Sequence, residues 1–81
     1  MVKVHLWSGL QSLVDEQDVV EVEASTVGEV LRRLILKYPE LEAYIDAGVS
    51  VAVDGKIIAS DLTKSVTERS EIYLMQRLRG G

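Results

Sequence analysis

Val2, Val4 and Leu6 alternate with Lys3, His5 and Trp7 at the start of the chain, the period-two pattern of a strand that turns one face to a core. Val20 and Val22 repeat it against Glu21 and Glu23, after a polar connection over 8–18 that contains Gly9. The pair predicts a hairpin with a long loop. From Val27 the period changes: Val27, Val30, Leu31, Leu34, Ile35 and Tyr38 line one side of a helix, and Thr26 with Glu29 supplies a capping box at its start. A helix over 27–38 follows, stopped by Pro39, whose ring excludes the helical conformation from the residue before it.

A short helical turn is expected over 40–46, and Gly48 then releases the chain into a third strand carrying Val49, Val51 and Val53. Asp54-Gly55 is a hairpin signal, because both residues tolerate the positive φ angles of a type I′ turn, and 56–59 forms the returning strand. The stretch 61–70 is polar and turn-rich, with Leu62 and Val66 as anchors to the core. A last strand over 71–78 sends Ile72 and Leu74 one way, Tyr73 and Met75 the other. One helix covers one face of such a sheet, and the right-handed crossover rule restricts how the chain returns. The order predicts an α+β fold of the β-grasp (ubiquitin-like) type, a mixed sheet of four to five strands on one main helix. Residues 1–76 form this domain and 77–81 a flexible carboxyl-terminal tail.

At 81 residues there is room for one core only. The absence of cysteine removes disulfides, thiolate chemistry and zinc-finger spacings, and it fits a reducing cytoplasm. Apolar runs fall far short of the roughly 20 residues needed to span a bilayer, and no targeting segment opens the chain. A net charge of −4 disfavours nucleic acid and anionic membranes as partners. His5 is the only imidazole, so no set of metal ligands is completed around it, and Asp15, Glu16 and Asp18 lack the calcium-loop spacing and read as a solvated turn.

If Val2, Val4, Leu6, Ile72 and Leu74 face the helix, alternation puts His5, Trp7, Tyr73 and Met75 on the uncovered face, where adjacent first and last strands would gather them. Trp, Tyr and Met are enriched in interface cores, so this face is the expected partner interface. The competing reading folds Leu10 and Leu13 over part of it and leaves Trp7 as a satellite of the core.

The chain ends at Arg77-Leu78-Arg79-Gly80-Gly81. Two terminal glycines carry no Cβ, so a partner enzyme can thread the Gly81 carboxylate through a narrow channel and reach it unhindered. Arg77 and Arg79 suit pairing with carboxylates of a partner's groove. No phosphate-binding loop and no recognisable Ser-His-Asp set exists, so activation of Gly81 has to come from another protein.

The segments Glu23-Ala-Ser-Thr-Val-Gly-Glu-Val-Leu31, Lys37-Tyr-Pro-Glu-Leu41 and Val49-Ser-Val-Ala-Val-Asp-Gly55, with the Gly-Gly end, resemble the MoaD/ThiS sulfur carriers over nearly the whole chain. Arg69-Ser70 stands where that family commonly has Gly-Asp, and the tail is similar to the end of ubiquitin itself. The resemblance implies that a ubiquitin-activating-type enzyme spends ATP to adenylate Gly81. Sulfur then gives a thiocarboxylate for a synthase large subunit or another sulfur acceptor, with the small subunit of molybdopterin synthase as the leading reading. The chain would bind no cofactor of its own. The alternatives are a modifier joined through Gly81 to lysines of target proteins and a plain interaction domain with an inert end.

Overall fold

The computed structural model describes residues 1–58 and 61–76. The chain runs β1 (Val2–His5), α1 (Ser8–Gln11), β2 (Val19–Val22), α2 (Val27–Lys37), α3 (Leu41–Ala47), β3 (Val49–Val53), β4 (Lys56–Ile57) and β5 (Glu71–Gln76). The strands form one mixed sheet in the order β2-β1-β5-β3-β4, with β1 and β5 parallel and the other neighbours antiparallel. This is the expected β-grasp arrangement, with the last strand inserted at the centre.

Alternation decides which residues enter the core. Val2 and Val4 pair in register with Val22 and Val20, Val4 with Ile72, and Val51 with Leu74, so one face is a continuous sheet of buried aliphatics. Helix α2 covers that face with Val27, Val30 and Leu34, each completely buried. Leu36, which the periodic set leaves out, is 68% exposed.

The start of α2 follows its sequence signal. Thr26 Oγ1 accepts the Glu29 N–H at 3.2 Å, and Glu29 Oε1 accepts both the N–H and the hydroxyl of Ser25 at 2.7 Å. The Ser25 hydroxyl first, and then its N–H, hold the Glu29 carboxyl below the usual carboxylate range. The Asp54-Gly55 turn has φ of 50° and 87°, both positive as a type I′ turn demands. Asp54 does more than turn the chain, since its Oδ1 accepts the Glu71 N–H at 2.9 Å and ties the hairpin to the start of β5.

Three expectations need correction. The connection over 8–18 contains the one-turn helix α1, which sends Leu10 into the core together with Val14. Leu62 is no side-chain anchor: it is 51% exposed, and its carbonyl accepts the Gly28 N–H at 2.9 Å. The Lys64 carbonyl takes the Val27 N–H in the same way, so 61–66 satisfies orphan donors in the first turn of α2 while Val66 supplies the buried anchor. The returning strand is shorter than 56–59, ending at Ile57 among the described residues.

Candidate functional site

Strand β5 carries the carboxyl end and sits at the centre of the sheet. It pairs with β1 on one side and β3 on the other, with Gln76 still in register with Val49. Arg77, Leu78, Arg79, Gly80 and Gly81 follow directly and lie outside the described residues.

The uncovered face is laid out by register. Val19, His5, Tyr73, Ala52 and Ile57 are successive cross-strand partners and form a row across all five strands. His5 and Tyr73 stack with ring centroids 4.2 Å apart and planes inclined by 9°. Ala52 is 6% exposed between Tyr73 at 40% and Ile57 at 68%. A second row sets Glu21, Lys3 and Glu71 side by side, alternating in charge. His5 Nε2 is buried without a hydrogen-bond partner and lies 3.7 Å from Glu71 Oε1, too far for a hydrogen bond.

Three of the four residues expected on this face stand on its paired strands: His5, Tyr73 and Met75, with Met75 opposite Ser50 of β3. Trp7 takes the intermediate position of the competing reading. It is half-buried beyond the end of β1 and packs against the core, as does Leu13. A Cβ on Gly9 would come within 2.7 Å of its indole nitrogen, so the ring is seated over that glycine. Trp7, His5, Asp18, Tyr73 and Met75 line a hollow of about 370 Å³ beside the end of β5. This combination of aromatic walls and one carboxylate suits an inserted side chain. Among the described residues, no three His, Asp or Glu side chains gather to hold a metal ion. Val19 and Ile57 escaped the sequence reading, although counting outward from the Asp54-Gly55 turn would have set Ile57 beside Ala52.

The sequence profile of the ThiS family matches residues 4–81. The chain belongs to the ThiS family of ubiquitin-like sulfur carriers. Among solved structures, this ThiS-family chain is similar to the one determined as the Amycolatopsis orientalis BexX/CysO complex, with a TM-score of 0.84, 17% identity and full coverage of both chains. SAMP1 from Haloferax volcanii matches at a TM-score of 0.78 and 24% identity, over 99% of this chain and 98% of that one. A chain in the complex of subunits 1 and 2 of the molybdopterin-converting factor of Helicobacter pylori matches at 0.69 and 16%, over 99% and 97%. At these identities the likenesses carry the fold. No curated protein matches the sequence. Among the described residues, no helix is long and apolar enough to cross a membrane.

Proposed function

We propose that this chain carries sulfur on its carboxyl terminus. A partner enzyme of the ubiquitin-activating type first joins a Gly81 carboxylate oxygen to the α-phosphorus of ATP, and pyrophosphate leaves. Sulfide, or the terminal sulfur of a persulfide, then attacks the acyl carbon and AMP leaves. Sulfide gives the thiocarboxylate directly, while a persulfide leaves an acyl disulfide whose S–S bond a second thiol must cleave. The observation that carries this reading is the family match, which extends through Gly81 and so includes the di-glycine end. The fold supports it physically, because the tail continues from a strand paired on both sides. Covalent geometry limits the five residues after Gln76 to a span of about 17 Å. The partner therefore has to come close to the end of β5, and the hollow at Tyr73 and Met75 is the contact surface within that reach.

The proposed acceptor is a pterin precursor held by a synthase large subunit, as the small subunit of molybdopterin synthase would require. The likeness to a chain of the molybdopterin-converting factor favours this pathway. Conjugation to target lysines is the second reading, favoured by the likeness to a chain named as a small archaeal modifier protein and by the ubiquitin-like Arg77-Leu78-Arg79 run. Intact-mass measurement on protein from its native host separates the two. A terminus in which one oxygen is exchanged for sulfur supports the carrier. Recovery only as branched conjugates on lysines overturns it, and so does full activity in vivo after removal of Gly80 and Gly81.

A further inference from the structure

The molecule has a second apolar surface, on the side away from the His5–Tyr73 stack. Among the described residues, strand β2 is an edge strand with β1 as its one sheet neighbour. The Leu6 N–H donates to the Asp18 carbonyl at 2.9 Å, which fixes the alternation of the antiparallel ladder. With residues 6 and 18 a hydrogen-bonded pair, 4 with 20 and 2 with 22 are hydrogen-bonded too, and the N–H and C=O groups of Val19 and Glu21 point outward. An edge of this kind is a template for another extended segment.

Next to that edge, Val22, Leu36 and Met1 form the apolar floor of a groove of about 340 Å³ between β2 and α2. Leu36 and Met1 are 68% and 55% exposed, a large apolar surface for two neighbouring residues. Arg33 and Lys37, one helical turn apart, stand on the helix side, and neither forms an ion pair among the described residues. Glu21 and Glu23 also line the groove. Glu21 is in register with Lys3, so alternation places its side chain on the other face of the sheet, and Glu23 lies just past the end of β2.

We infer that the β2 edge and this groove bind a short extended segment of a partner protein, one whose groove-facing residues are apolar and acidic. The main chain of the segment would pair with Val19 and Glu21, an apolar side chain would rest on Leu36, and its carboxylates would meet Arg33 and Lys37. A second copy of this chain is a poorer occupant. Antiparallel β2 pairing would bring Glu21 close to its own equivalent, a like-charge contact that disfavours it.

The test is an amide NMR titration with the peptide Asp-Thr-Val-Lys-Leu-Thr-Asp, in which Asp, Val and Leu share one face and Lys falls on the Glu21 side. Shifts should centre on residues 19–23 and 33–37. A control peptide with lysine in place of both aspartates should bind about tenfold more weakly, as should the acidic peptide to the double variant Arg33→Glu, Lys37→Glu. N-methylation of one alternate set of peptide amides should abolish binding while the other set spares it, because in an added strand only every second N–H faces β2. Equal affinity for the two peptides, shifts centred on His5 and Tyr73, or no saturable binding would overturn the inference. Shifts at 19–23 that follow protein concentration without peptide would overturn it in favour of self-association.

Discussion

The two faces of the sheet are made from alternate residues of the same strands, yet their compositions differ sharply. On the covered face, Val2, Val4, Val20, Val22, Ile72 and Leu74 are all aliphatic and none is more than 4% exposed. The open face mixes Lys3, Glu21 and Glu71 with a row in which Tyr73 and Ile57 remain 40% and 68% exposed. The same backbone serves both, so the difference lies in what each face has to satisfy. Packing under α2 determines the first. Nothing in the fold requires a stacked His5–Tyr73 pair and an exposed Ile57 on the second, and an apolar row set among charges is what a contact surface needs.

The largest effect should come from the covered face. Leu34→Ala or Ile72→Ala removes a completely buried side chain and should cost about 2 to 5 kcal/mol, against a total of roughly 5 to 10 for a domain of this size. Urea denaturation would measure it. Affinity for the proposed activating partner, corrected for the folded fraction, should be unchanged. A loss below about 1 kcal/mol would break the contrast between the faces.

Tyr73→Ala should do the reverse. Stability should move by less than about 1 kcal/mol, while calorimetric titration with the proposed activating enzyme should show affinity falling tenfold or more. Unchanged affinity would remove the open face from the partner interface. Trp7→Ala sharpens the comparison because its ring belongs to both regions, lining the hollow and packing on the core. It should lose affinity and about 1 to 2 kcal/mol of stability together.

Much of this contrast was legible in the sequence, because parity is a local property. Val2, Val4, Val20 and Val22 announce their side of the sheet, and Thr26 with Glu29 announces where the covering helix begins. The His5–Tyr73 cluster needed one further step, the adjacency of first and last strands that the fold class supplies. What could not be read depends on chain segments that meet only in three dimensions. Leu10, Leu13 and Val14 have the i, i+3, i+4 spacing of a helix, but one turn of it among polar residues is too short to reveal α1. Leu62 looks like a core residue, but the fold uses its carbonyl, and a backbone acceptor carries no side-chain signal. The groove beside β2 joins residues 21–23 to 33–37 across a packing contact, and Leu36 by its place in the helix simply reads as an exposed residue.

The smallest predicted effects touch neither face, only the start of the helix that covers one of them. Thr26→Ala removes the acceptor for the Glu29 N–H and should cost about 1 kcal/mol at every pH, since a hydroxyl does not titrate in this range. Glu29→Gln keeps an acceptor but removes the charge, so its effect should depend on pH. The Glu29 carboxyl is held below its ordinary value of 4.5 in the folded chain by the Ser25 hydroxyl and N–H. A depressed folded pKa means that the contribution is complete above the unfolded value and is lost as pH falls through the folded one. The midpoint gap between wild type and Glu29→Gln should therefore be constant near neutrality and begin to close below about pH 4.5. The gap between wild type and Thr26→Ala should persist over that same range. Parallel behaviour of the two variants would mean that the Ser25–Glu29 bonds contribute nothing through charge. The helix would then be held over the covered face by Thr26 and by the carbonyls of Leu62 and Lys64, together with its buried side chains.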